Sequence, residues 1–320
     1  MDRTASLTPT TRLAPSPTGA LHLGNARTFL INWALAKQNG WNVVLRLEDL
    51  EGPRVKPEAC QEAEHILQWL GLDWDQGPWT QLADLTPYHQ ALQTLHAKGL
   101  IYPCTLTRSQ IARAQSAPHL HEHEQRCPSP KVGPQVTDPS SFLREDEHAW
   151  RIRIPDEPTT FTDDFAGLQA CNVQQEVGDF VVATKAGLPA YQLAVVVDDH
   201  RQGITHVVRG DDLISSAARQ RWLYQFLDYE PLPRYFHLPL VLGHDGRRLA
   251  KRHGDTKLIT YQQQGVPPQR IVGLIARWSG LSPRLEPMSA KQFAQQFDLT
   301  KLPHDPVTFT LEDHTWLITP

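Results

Sequence analysis

The chain of 320 residues lacks most of the features that would class it at once. Its four cysteines, at positions 60, 104, 127 and 171, are too few for a disulfide framework in a chain of this length and point to a reducing compartment. No apolar run approaches bilayer-spanning length and no leader pattern is evident, so a cytoplasmic chain without a membrane partner is expected. Neither charge sign dominates: 31 Lys and Arg stand against 35 Asp and Glu, for a net charge of −4. With no global basic field, any nucleic-acid partner must be held by local Lys/Arg patches. There is no internal repeat and no low-complexity tract. What is present is enough apolar material for a sizeable core, 40% of residues, in a length that suits two domains or one large domain with an insertion.

The most informative stretch lies near the start, from Arg12 through a Pro/Gly-rich turn to Arg27. A short apolar strand enters the turn. A helix leaves it, with Ala26, Phe29, Leu30 and Trp33 at helical spacing, and stops at Gly40. A second strand follows over Asn42–Asp49, so strand, helix and strand form a βαβ unit, the start of a parallel sheet. Such units bind ligands at the carboxyl end of the strand, where a helix N-terminus offers free N–H groups to phosphate. Gly19 and Gly24 permit close approach to the backbone, and His22 is placed to donate a hydrogen bond to a phosphate oxygen.

Further along, 57–70 and 85–98 read as helices and Leu100–Cys104 as a strand. Residues 104 to about 150 turn rich in Pro, Ser, His and charge, the mark of an inserted subdomain, and alternation from Trp150 to Ala183 reads as strands. The apolar run Tyr191–His200, ending in Asp198 and Asp199, reads as a buried strand, as do Thr205–Arg209 and Phe236–Leu242. A helix over 215–226 lies between the last two. From Thr256 the chain reads as helical, with helices over 259–264 and 267–278, then one amphipathic helix and a Pro-punctuated tail. The expected layout is α/β: a Rossmann-type sheet in two halves (1–103 and 181–255), an insertion over 104–180 and a helical region over 256–320.

Taken whole, Ala14-Pro-Ser-Pro-Thr-Gly-Ala-Leu-His22-Leu-Gly24-Asn25-Ala-Arg27 resembles the signature of the glutamyl-tRNA synthetase family of class I aminoacyl-tRNA synthetases. His22 to Asn25 stand for the "HIGH" element, and Leu-Arg46-Leu-Glu48-Asp49 matches the same family downstream. Arg248-Leu-Ala-Lys251-Arg252 resembles its "KMSKS" loop, with an Arg for the first Lys and Ala250 for the Ser, a hydroxyl lost with charge kept. The resemblance implies catalytic roles for His22 and Lys251, with His22, Gly24, Asn25 and Lys251 on ATP. It implies a glutamate site made of Arg12, Ser16, Glu48, Tyr191 and Arg209, and use of ATP with Mg²⁺. The residue chemistry agrees: guanidinium forks suit carboxylates, and Glu48 offers an acceptor for an ammonium group.

The chain ends about 65 residues after the Lys251 loop, which suggests the short members of the family without an anticodon-reading domain. These members activate L-glutamate without tRNA and esterify the queuosine base at the wobble position of tRNA(Asp). A monomer is expected. A tRNA(Glu)-charging enzyme and a non-catalytic paralogue remain the alternatives; the latter should have lost His22, Arg209 or Lys251, and all three are present. The short members typically carry Cys-x-Cys, then Tyr-x-x-x-Cys, as zinc ligands. Here Cys104, His123 and Cys127 have donor atoms, but Leu106 fills the second Cys position and cannot coordinate, so loss of Zn²⁺ is expected.

Overall fold

The computed structural model of the chain describes residues 8–50, 55, 57–105, 142–144, 148–247, 249 and 256–319. Strand β1 (Thr10–Leu13) is buried along its length and leads through the turn into helix Leu23–Asn39. That helix is apolar on nearly every side, with Leu23, Ala26 and Phe29–Ala36 buried, because it lies between the sheet and the C-terminal helices. It ends at Gly40, whose φ of +66° is the left-handed cap that a residue without Cβ adopts at little cost. Strand β2 (Asn42–Leu47) returns parallel to β1, with Thr10 opposite Asn42, and completes the βαβ unit.

Helix Pro57–Trp69 precedes β3 (Gln76–Thr80), which extends the sheet beyond β2 in parallel. Helix Thr86–Ala97 follows. Strands β4 (Ile101–Cys104) and β5 (Ala149–Ile152), the hairpin β6 (Thr159–Asp163) with β7 (Gly167–Cys171), and β8 (Phe180–Ala183) make two small antiparallel sheets, β4-β5-β8 and β6-β7. The parallel pair β9 (His206–Gly210) and β10 (Arg234–Leu238) then lies on the other side of β1. Thr205 N donates to Thr10 O at 2.9 Å, and Thr10 N donates to Thr205 Oγ1 at 2.8 Å. The order across the molecule is therefore β3-β2-β1-β9-β10, a doubly wound sheet that reverses direction between β1 and β9.

Three sequence expectations are corrected. The run read as a buried strand at Tyr191–His200 is a helix, Tyr191–Arg201. Periodicity cannot separate a buried strand from a buried helix, and residues Gln192–Asp199 are buried on every face despite three consecutive β-branched valines. The segment after Met288 carries two helices, Ala290–Gln296 and Leu311–Ile318, each opened by a capping box at Ser289 or Thr310. Strand β3 was not expected at all: Gln-Gly-Pro-Trp-Thr is largely exposed and carries Gly and Pro, so it shows no strand alternation.

The helical geometry of 191–201 sets a buried ion cluster against β2. Asp199 accepts from Arg46 Nη1 at 2.7 Å and from Arg12 Nε at 3.3 Å. Asp198 accepts from Tyr88 Oη (2.9 Å), Gln81 Nε2 (2.7 Å) and Arg201 Nε (2.8 Å). The side chains of Arg46 and Asp198 are fully buried. Removing one partner of such a cluster strands the others without water. Asp198→Ala is expected to cost about 3–5 kcal/mol of unfolding free energy, measured by denaturant titration; a loss below about 1 kcal/mol would show that the cluster is not needed for stability.

Candidate active site at the switch point of the sheet

A cavity of about 230 Å³ opens where the sheet order reverses, at the carboxyl ends of β1, β2, β9 and β10. That volume is many times that of one water and suits a small polar molecule. Eight of the residues singled out in the sequence line it: Arg12, Ser16, His22, Gly24, Asn25, Glu48, Tyr191 and Arg209. They reach it from several elements, with His22, Gly24 and Asn25 sharing the start of helix Leu23–Asn39. Arg12 comes from β1, Ser16 from the following turn, Glu48 from the end of β2, Tyr191 from the first turn of its helix and Arg209 from β9. Lys251, His123 and Cys127 lie outside the described residues.

His22 acts differently from the expectation of free N–H groups at the helix start. It is the N-cap, and its Nδ1 accepts from the N–H groups of Gly24 (3.2 Å) and Asn25 (3.4 Å), while Asn25 Oδ1 accepts from His22 N at 3.1 Å. An accepting Nδ1 requires the proton on Nε2, so the ring, not the backbone, presents a donor at the helix N-terminus. Gly24 makes room for this cap: a Cβ there would stand 3.1 Å from the imidazole. The flank of the basic loop is bound to the same turn, since Leu258 N donates to Leu21 O (2.8 Å) and Leu23 N to Thr256 O (3.2 Å). On the other flank, Leu249 N donates to Val241 O at 2.9 Å.

The cavity is strongly polar in its charge pattern. Arg12 is buried, and the only hydrogen bond of its guanidinium among the described residues is from Nε to Asp199. Arg209 is buried too, with Nε on His237 Nε2 (3.0 Å), Nη1 on Gln220 Oε1 (2.9 Å) and Nη2 on Leu213 O (3.3 Å). A guanidinium has five N–H bonds, so Arg209 retains two. Ser16 Oγ is buried with no hydrogen-bond partner among the described residues, which marks a place for a ligand.

Arg27 was not singled out, although it also lines the cavity. It is almost wholly buried, and Nη1 donates to the carbonyl of Pro239. Its Nε and Nη2 have no partner among the described residues. Burial lowers its pKa to about 10, against the opposing charge of Asp211. The signal was available: Arg27 follows Ala26 and precedes Phe29 in a mostly apolar stretch of the helix, where a charged residue is seldom a solvated one.

Arg12, Arg27 and Arg209 thus line a cavity that also holds two acids, Glu48 and Asp212, and the Glu48 carboxylate accepts from Arg46 Nη2 at 3.1 Å. Burial raises the pKa of Glu48 above the usual carboxylate range, with Arg46 and Arg12 pulling it back. Burial also raises that of Tyr191, with Glu48 adding to it, so the phenol stays a neutral hydroxyl. The arrangement can bind an anionic molecule that also carries a cationic group.

No group of three or more His, Cys, Asp or Glu among the described residues is placed to hold a metal ion. Cys104 is buried at the end of β4, and Cys60, Cys104 and Cys171 are free thiols.

A doubly wound sheet with a His-capped helix and a mixed-charge cavity at its switch point fits the nucleotide-binding catalytic domain of a class I synthetase. A family model described as tRNA synthetases class I (E and Q), catalytic domain, matches residues 9–316, and the chain belongs to that family. A glutamyl-Q tRNA(Asp) synthetase of Rhodopirellula baltica is 48% identical over 284 residues, 85% of this chain and 85% of that protein. A second, from Symbiobacterium thermophilum, is 42% identical over 312 residues, 94% of this chain and 96% of that protein. The crystal structure of a glutamate tRNA ligase from Elizabethkingia meningosepticum, in complex with its amino acid, shares the fold with a TM-score of 0.78 at 24% identity, over 97% of this chain and 68% of that one.

The raised pKa of Glu48 yields a test. The ionised carboxylate holds a cation far more strongly than the neutral acid does, and burial raises the pKa at which that charge is lost. The KM for the amino-acid substrate should therefore rise as pH falls toward that pKa. Glu48→Gln, which cannot ionise, should raise KM at neutral pH and flatten its pH profile. Identical profiles in the two proteins would remove Glu48 from the site.

Proposed function

We propose that the chain activates L-glutamate with ATP and Mg²⁺ and transfers it to the queuosine base of tRNA(Asp), as a cytoplasmic ligase. The observation that carries this reading is the convergence of Arg12, Arg209 and Glu48 on one cavity. Glutamate bears two carboxylates and one ammonium group, and Arg12, Arg209 and Glu48 match those charges. Ser16 Oγ and Tyr191 Oη supply hydroxyl partners that fix orientation. The acceptor is supported by the two glutamyl-Q tRNA(Asp) synthetases, which the chain matches over most of their length.

In this reading the α-carboxylate oxygen of glutamate attacks the α-phosphorus of ATP, and pyrophosphate leaves. The chain performs no covalent step of its own; it positions the two substrates and stabilises charge on the phosphates. His22 Nε2–H donates to a phosphate oxygen, with its ring held by the Gly24 and Asn25 amides. Lys251 steadies the departing pyrophosphate. In support, both flanks of its loop are hydrogen-bonded beside the cavity, at Leu249 and at Thr256. Zinc has no part in these steps, and a lost zinc site remains the reading of Leu106.

Two experiments test the proposal. Glutamate-dependent exchange between ATP and labelled pyrophosphate should proceed with no tRNA present. Labelled glutamate should then pass to queuosine-containing tRNA(Asp) and not to the unmodified transcript. A strict need for tRNA(Glu) in the exchange would favour the tRNA(Glu)-charging alternative.

The second concerns Lys251. Lys251→Ala should lower kcat for exchange by on the order of 10²–10³, as when one preorganised electrostatic donor is removed, with little change in the KM for glutamate. A group acting on the leaving group stabilises the transition state more than the ground state. Unchanged kcat would assign the role to another cation of the loop.

A further inference from the structure

Behind Arg209 lies a buried chain of hydrogen bonds that the reaction as written does not use. Asp163, the last residue of β6, and His237 of β10 are both fully buried, and Asp163 Oδ2 lies 2.6 Å from His237 Nδ1. On the other side of the ring, His237 Nε2 lies 3.0 Å from Arg209 Nε. His237 and Arg209 are direct register partners in the β9–β10 pair. The remaining oxygen of Asp163, Oδ1, accepts three backbone N–H groups: Phe165 (3.0 Å), Ala166 (2.7 Å) and His237 (3.1 Å).

This geometry permits one tautomer. Arginine Nε carries a hydrogen and has no acceptor capacity, so the His237 Nε2 that meets it must be bare. The ring proton is then on Nδ1, where the carboxylate of Asp163 accepts it. Both ends require the same assignment. Burial, with the charge of Arg209, favours the neutral ring and lowers its pKa against the pull of Asp163 and of the Leu213 carbonyl. Its remaining ring neighbour, Tyr235, stacks at 5.8 Å between centroids and holds the guanidinium of Arg209 at 5.3 Å from its own ring.

We propose that Asp163 is a positioning residue for the cavity: by fixing the tautomer of His237, it provides the acceptor that orients the guanidinium of Arg209 toward the substrate. The β6–β7 hairpin thereby reaches the substrate site without touching it. The inference rests on the reading of Arg209 as a contact to a glutamate carboxylate.

Asp163→Asn tests it with little disturbance of the fold. The amide oxygen can keep the three backbone donors, while the NH₂ group takes the place of Oδ2 and faces Nδ1. If His237 keeps its tautomer, two donors meet at Nδ1; if it switches, two donors meet at Arg209 Nε. Either outcome disturbs Arg209. In ¹⁵N-histidine spectra His237 should appear as the Nδ1–H form in the parent protein, with that signature shifted or lost in Asp163→Asn. The KM for glutamate should rise roughly tenfold with kcat nearly unchanged, the size of one lost hydrogen bond to a charged group.

His237→Gln supplies the control, because its amide oxygen can accept from Arg209 Nε without help from Asp163. In that background Asp163→Asn should have no further effect on KM, a non-additive cycle. An equal rise in both backgrounds, or an Nε2–H form in the parent protein, would overturn the proposal. Arg209→Ala separates the two claims. Unchanged glutamate KM there would overturn the substrate reading, whereas a raised KM there with an unchanged one in Asp163→Asn would overturn only the relay.

Discussion

Arg46 is a fully buried cation, and the geometry of the site depends on how its charge is met. Its guanidinium is shared among Glu48, Asp198 and Asp199, at 3.1, 3.9 and 2.7 Å. Taking these charges out of water is costly, and only near-complete mutual pairing offsets the cost. The pairing carries geometric consequences. One arm of Arg46 orients Glu48, and Asp199, held by another arm, orients Arg12 through its Nε. The two groups of opposite sign that face the cavity are thus set relative to each other by one buried ion.

The same cluster joins parts of the chain that are far apart in sequence. Arg12 and Arg46 belong to the first βαβ unit, and Asp198 and Asp199 to a helix some 150 residues later. The two halves of the sheet meet along β1 and β9 by few backbone hydrogen bonds, so the ion cluster adds a second connection just below the cavity. A cavity at the switch point of a doubly wound sheet needs this kind of bracing, because its walls come from strands on both sides of the reversal.

Much of this was legible in the sequence, for a physical reason. Residues at strand ends and in the helix-opening turn obey local rules, so His22 and Gly24 could be placed from the Pro/Gly turn and the periodicity after it, while Asn25 came with the family resemblance. Arg12, Ser16, Glu48, Tyr191 and Arg209 came from the family resemblance, and the structure brings them to one cavity. The helix at Tyr191–Arg201 was misread because a run of apolar residues buried on all sides has no period to detect, and only tertiary packing decides its form. Arg27 and the Asp163–His237 pair stayed hidden for a related reason. Their meaning lies in partners from other elements: Pro239 and Asp211 for the first, β10 and Arg209 for the second.

The two buried chains, Arg46–Asp199–Arg12 and Asp163–His237–Arg209, solve one problem in opposite ways. Arg12 is backed by a carboxylate, which lowers its net pull on an anion but holds its direction. Arg209 is backed by a neutral imidazole and by the oxygens of Gln220 and Leu213, so its full charge remains available to the cavity while its direction is equally fixed. Arg27 adds a third guanidinium with two nitrogens unmatched by the described protein. Against the carboxylates of Glu48 and Asp212, the three leave the cavity one positive charge in surplus, which an amino acid with an acidic side chain and a net charge of −1 meets. A neutral amino acid in the same place would leave a buried guanidinium without a partner, at the cost of its desolvation.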